Sequence, residues 1–117
     1  MTLLHVAIGG ALGAMLRYLV GLSVAFPFGT LTVNILGSFI MGLVLVLFVD
    51  KGLDRWVPLV MVGLLGGFTT FSAFSLDVLR LIETDRAASA FGYVLASVVL
   101  SLAAIFVAVF IARSFAQ

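Results

Sequence analysis

Long apolar runs, separated by short clusters of charge, constrain this chain more than any other feature of its sequence. The runs cover residues 3–24, 30–49, 56–76 and 87–112, and the last three contain no charged residue. Each is about as long as the roughly 20 residues that a helix needs to cross a bilayer. They are too long for strands and lack the in–out alternation of a membrane barrel. We therefore predict an all-α membrane protein, a single domain over 1–117 with four transmembrane helices.

The composition excludes several other classes of protein. Hydrophobic residues make up 64% of the 117 residues and charged residues 9%, whereas a soluble domain carries about 25% charged residues. A net charge of +1 without a basic cluster offers no surface for nucleic acid, so no nucleic-acid partner is expected. The absence of cysteine excludes a disulfide framework. The solvent of this chain is the lipid bilayer.

The basic residues at the ends of the runs leave two orientations open. Four spans place both termini on the same side as the loop 50–55, and this side carries Lys51, Arg55 and Arg113. The other side carries Arg80 and Arg86, with Arg17 near the end of the first run. An excess of Lys and Arg marks the cytoplasmic side, and here neither side has one. The chain therefore has either a fixed orientation that this count does not reveal or inserts both ways up, which permits an antiparallel dimer.

Small residues recur at a spacing of four within the runs. Such pairs let membrane helices approach closely, either within one chain or between two copies. Both alternatives stay open from the sequence. The pairs are Gly9 with Gly13, Ser38 with Gly42, and Gly63 with Gly67.

The third run contains the least helical segment of the chain, residues 66–75, which read GGFTTFSAFS. Two glycines followed by threonines and serines make a poor helix interior, and the hydroxyls can bond to their own backbone. We predict that the third helix is broken in mid-membrane. Carbonyl groups freed by such a break can coordinate a cation. The alternative is a continuous helix whose glycines only allow close packing.

The polar residues within the predicted spans are neutral donors, apart from one arginine. Asn34 follows Thr30 by one helical turn, and hydroxyls recur at steps of four along one face of the fourth helix. The edges of aromatic rings carry partial positive charge, and two phenylalanines lie three residues apart in the third run. This set suits an anion better than a cation. These candidate residues are Arg17, Thr30, Asn34, Phe71, Phe74, Tyr93, Ser97 and Ser101.

Three segments together resemble the Fluc (CrcB) fluoride channels. They are residues 13–18 (GAMLRY), 29–39 (GTLTVNILGSF) and 66–75, and the resemblance extends over essentially the whole chain. It implies a dual-topology homodimer, assembled antiparallel in the bacterial plasma (inner) membrane, with two fluoride pores at the interface. It also implies a passive channel, not an enzyme, that exports fluoride from the cytoplasm.

The resemblance also implies roles for individual residues. The helix break corresponds to Thr69–Ser72, and the main-chain carbonyls of Gly66 and Thr69 would hold a structural sodium ion at the dimer interface. Arg17 corresponds to an arginine with a vestibule or structural role. Ala73 and Ile105 depart from the pattern, since the family often has threonine at the first position and the hydroxyl spacing places a polar residue at the second. The implied fluoride pore comprises Thr30, Asn34, Phe71, Phe74, Tyr93, Ser97 and Ser101.

Two other functions fit a small four-span protein. A small multidrug-resistance-type antiporter shares this size and dual topology, but it needs a titrating carboxylate inside the membrane. The sequence assigns no Asp or Glu to a span, which argues against that reading. A non-transporting subunit of a membrane assembly needs only glycine-rich packing faces.

Overall fold

The computed structural model describes residues 1–116, which form helices and turns without a strand. We number the helices in chain order. The second helix, α2, continues from its α-helical part into wider π-helical turns over Leu45–Asp50. The third, α3, combines π-helical Pro58–Leu65 with an α-helical turn at Gly66–Phe68. The helices are α1 (Thr2–Ser23), α2 (Phe28–Val44), α3 (58–68), α4 (Phe71–Glu83) and α5 (Ala87–Ala116).

Four helical segments are long and apolar enough to cross a membrane. They are Thr2–Ser23, Phe28–Asp50, Asp54–Glu83 and Ala87–Phe115. An all-helical chain with four candidate membrane spans is thus confirmed. The third segment extends further than the predicted 56–76, because α4 keeps a buried face beyond the first charged residue and ends only at Glu83.

Glycines bring the backbones of α1 and α3 into direct contact. A Cβ added to Gly13 would overlap the carbonyl oxygen of Leu64, and one on Gly67 would lie 2.6 Å from the carbonyl oxygen of Gly10. On the other side of the bundle α2 packs against α5, where a Cβ on Gly42 would lie 2.8 Å from the Cβ of Ala108. The small residues therefore form close helix contacts inside one chain.

The contact between α1 and α3 leads to a stability prediction. Gly13→Ala inserts a methyl group between two backbones, and overpacking of this kind costs about 1–3 kcal/mol. We expect a lower midpoint in thermal unfolding of the detergent-solubilised protein. Gly21→Ala is the matched control on the same helix, because no atom lies within 4 Å of its added Cβ. Equal unfolding midpoints for the two variants would contradict the close contact.

Candidate functional site

The chain leaves the helical conformation at two consecutive threonines. Thr69 has φ −89° and ψ 156°, and Thr70 has φ −156° and ψ 127°, so both are extended. The hydroxyl of Thr70 accepts a hydrogen bond from the amide of Ala73 at 3.1 Å and caps α4, as threonine often does at a helix start. The break predicted within 66–75 is therefore present, and α3 and α4 are separate helices.

Asn34 binds both backbone groups of Thr70. Its Nδ2 donates to the Thr70 carbonyl oxygen at 2.9 Å, and its Oδ1 accepts from the Thr70 amide at 2.8 Å. The polar groups that the break frees would be costly in lipid, and this pair of bonds satisfies them. The sequence predicts that Asn34 donates to an anion. In the structure, one of its two N–H groups already donates to the Thr70 carbonyl oxygen. One N–H remains for a ligand.

Arg17 fixes the other side of the break. Its Nε donates to the carbonyl oxygen of Gly67 at 3.1 Å, which links α1 to the last turn of α3. The half-buried guanidinium also borders a cavity of about 290 Å³ between α1 and α2. Thr30 and Ala73 belong to the same cavity. The structure therefore gives Arg17 a backbone contact together with a position at a cavity wall.

The carbonyl groups of Gly66 and Thr69 lose their usual helical partners. The amide of Thr70, which would close a turn onto Gly66, donates to Asn34 instead. The amide of Ala73, which would close a turn onto Thr69, donates to the hydroxyl of Thr70. Unwound carbonyl oxygens of this kind are suitable ligands for a sodium ion.

A groove of about 550 Å³ lies beside the break and brings most of the predicted site residues together. The hydroxyl oxygens of Ser97 and Ser101 are buried there without a hydrogen-bond partner in the described part of the chain. Three predicted residues, Arg17, Thr30 and Tyr93, do not line the groove. Its walls are formed by Asn34, Ser38, Gly66, Thr69, Thr70, Phe71, Phe74, Ser97, Val98, Ser101 and Leu102.

Two aromatic rings of α4 line the groove, and the ring of Tyr93 on α5 lies next to the second of them. The ring centroids of Phe71 and Phe74 are 5.2 Å apart, with the planes tilted by 50°. Phe74 lies 5.4 Å from the ring of Tyr93. Phe74 is buried, whereas 76% of Phe71 is exposed on the single chain. Phe71 therefore presents its ring to whatever covers the open side of the groove.

Asp77 has no role predicted from the sequence, but the structure buries it. The predicted third run ends at residue 76, whereas α4 continues to Glu83 and leaves Asp77 only 7% exposed. The hydroxyl of Tyr93 donates to its Oδ2 at 2.9 Å. The spacing of Phe74, Asp77 and Leu81 on one helical face is the signal that would have placed this carboxylate inside the span.

The prediction that no span contains an acidic residue is therefore wrong, and it no longer argues against an antiporter. Asp77 lies within the third candidate span, six residues before its end at Glu83. The Tyr93 hydroxyl is also not a free donor in the row along α5, because its proton points to a carboxylate. Ser97 and Ser101 alone keep uncommitted hydroxyls in that row.

The fold and the groove define a multi-pass integral membrane protein with a polar path embedded among apolar helices, the architecture of a small channel or transporter. The chain belongs to the CrcB-like proteins (Camphor Resistance, CrcB), whose family model matches residues 4–109. This confirms the family to which the three sequence segments pointed.

Relatives of known description cover nearly the whole chain. It is 50% identical to the fluoride-specific ion channel FluC of Paracoccus denitrificans (strain Pd 1222), over 96% of this chain and 94% of that protein. It is 53% identical to FluC of Cereibacter sphaeroides (strain ATCC 17029 / ATH 2.4.9), over 87% and 86% of the two chains. FluC of Ruegeria sp. (strain TM1040) is 49% identical over 96% and 94%.

Proposed function

We propose that this protein is a fluoride-selective channel that lets fluoride leave the cytoplasm passively through the plasma (inner) membrane of a bacterium. The observation that carries the proposal is the groove, whose walls combine phenylalanine rings with two buried serine hydroxyls that have no partner among residues 1–116. A buried hydroxyl without a partner costs free energy unless a ligand accepts a hydrogen bond from it. Fluoride is the ligand named in the descriptions of all three relatives.

The groove supplies what a small, strongly hydrated anion requires. The hydroxyls of Ser97 and Ser101 and the remaining N–H of Asn34 are neutral donors that replace water molecules one at a time. The ring edges of Phe71 and Phe74 add partial positive charge without a full cation that would hold the ion too tightly. Conduction needs sites that the ion enters readily and also leaves. Neither a nucleotide nor an enzymatic step is part of this mechanism.

We place the working unit in an antiparallel homodimer with two pores. The groove is open on one side of the single chain, and Phe71 and Gly66 are exposed there. A second copy related by a two-fold axis covers this side and contributes its own groove by symmetry. The equal numbers of basic residues on the two sides of the membrane allow the two copies to insert in opposite orientations.

A structural sodium ion fits the same interface. Gly66 and Thr69 line the groove, and the amides that would bond to their carbonyl oxygens in a continuous helix donate elsewhere. In a two-fold dimer the same pair recurs in the second copy, so four carbonyl oxygens face one another. The ion would supply positive charge where the freed carbonyls converge.

The second candidate function is the proton-coupled antiporter, which the buried Asp77 favours. Purified protein in liposomes distinguishes the two. We expect fluoride efflux that starts when valinomycin allows potassium to follow and that is unchanged when a proton gradient is imposed or collapsed. Efflux that follows the proton gradient would support the antiporter. Fluoride release no faster than from protein-free liposomes would refute the channel.

A further inference from the structure

Ser38 lies in the groove but has no part in the path described so far. We infer that Ser38 is a further fluoride-binding residue, facing Ser101 at the end of the path on α2. The inference rests on the proposed function and adds a binding residue to that same site. A fluoride-binding role for Ser38 would mark the point at which the ion leaves the space between α2 and α5.

The hydroxyl groups of the helices differ in whether they bond to their own backbone. Outside the groove, Ser23, Thr32, Ser75 and Ser114 each donate to the carbonyl oxygen four residues earlier, at 2.7–3.3 Å. This local bond is the usual solution for a serine or threonine in a membrane helix. Ser38 lines the groove and makes no such bond in the described part of the chain. Its hydroxyl proton is therefore free for a ligand.

Two serine hydroxyls of α5, in the same groove as Ser38, are buried and unsatisfied among the described residues. Ser97 is 93% buried, since its exposure is 7%, and its hydroxyl has no partner among the described residues. The hydroxyl of Ser101, one turn further along α5, is in the same condition. Ser38 follows Asn34 by one turn of α2, so the two helices carry two parallel pairs of donors. Three uncommitted hydroxyls and the remaining N–H of Asn34 can each donate a hydrogen bond, so this single groove can offer an anion four donors.

The helices α2 and α5 contact each other tightly just beyond Ser38. One turn beyond it, a Cβ on Gly42 would lie 2.8 Å from the carbonyl oxygen of Ile105 and 2.8 Å from the Cβ of Ala108. The two helices therefore close against each other at this level and leave no room for an ion between them. Ile105 occupies the next step of four after Ser101, where no donor is needed. Ser38 and Ser101 are consequently the last donors before the ion moves away from this pair of helices.

The test compares Ser38→Ala with the wild-type protein and with Thr32→Val in liposomes. Thr32 lies on the same helix but donates to Phe28 and borders a different, apolar cavity. We expect Ser38→Ala to reduce the fluoride efflux rate about tenfold, the usual effect of losing one hydrogen bond to a charged group. Thr32→Val should conduct like the wild type. The dimer fraction, measured by cross-linking in the same liposomes, should be equal in all three.

Three other results would overturn the role of Ser38, and one of them would also refute the channel. Unchanged efflux from Ser38→Ala, with a conducting wild type, would overturn the role of Ser38 and leave the channel function intact. A fall in efflux that matches a fall in the dimer fraction would also overturn it, because Ser38 would then bond to the second copy and not to the ion. A wild-type protein that releases no fluoride would refute the proposed function, and the role of Ser38 with it.

Discussion

Asn34→Ala is expected to reduce fluoride efflux about a hundredfold. The substitution leaves the amide and the carbonyl of Thr70 without partners, and each unsatisfied group costs about 1–3 kcal/mol in a buried setting. It also removes the one N–H that still faces the groove. The break then relaxes toward a different backbone conformation and the donors of the path lose their arrangement. Efflux from liposomes, with the protein amount matched, measures the effect.

A second substitution, Asn34→Asp, combines the loss of one hydrogen bond to Thr70 with an added negative charge. Asn34→Asp keeps an oxygen that accepts from the Thr70 amide but loses the donor to the Thr70 carbonyl and adds a negative charge. We expect it to be as inactive as Asn34→Ala, because a carboxylate repels an anion at close range. Wild-type efflux from either variant would show that Asn34 neither holds the break nor contacts the ion.

Forcing every chain into one orientation is expected to abolish activity. Leu53→Lys with Asp54→Lys gives the side of the 50–55 loop five basic residues against three, and the excess directs that side to the cytoplasm. Glu83→Lys with Ser89→Lys gives the opposite excess at exposed positions on the other side. If the working unit is antiparallel, each double variant alone lacks a partner. Cells that produce both variants together should recover fluoride resistance.

The control carries uncharged changes at the same positions. Leu53→Gln with Asp54→Asn adds no basic residue and should leave the growth of cells in fluoride near the wild-type level. Cysteine labelling from one side of the membrane verifies the orientation of each variant. Full activity in a population shown to have a single orientation would rule out the antiparallel dimer.

The residue types of the site could be predicted from the sequence, but most of their contacts could not. The break was predictable because glycines, threonines and serines in residues 66–75 disfavour a helix locally. The double bond from Asn34 to Thr70 joins residues 36 positions apart, and only the packing of α2 beside the break brings them together. Local pattern carries no information on such a pair.

Asp77 is an exception to a local rule. Charges usually mark the ends of a span, so the sequence predicts that the third span ends before Asp77. The carboxylate is instead buried and accepts a hydrogen bond from the hydroxyl of Tyr93, 16 residues away. The exception depends on a hydrogen bond to a distant residue. In the sequence, only the spacing of Phe74, Asp77 and Leu81 along one face of α4 indicates it.

The bond from Arg17 to Gly67 spans 50 residues, and this separation has a consequence for biosynthesis. The first helix emerges from the ribosome with a cation whose partner has yet to be translated. Until the third segment arrives, the guanidinium has no carbonyl to bind and favours the aqueous boundary. If the working unit is the antiparallel dimer proposed above, this delay would leave the first helix free to adopt either direction until the third segment is made.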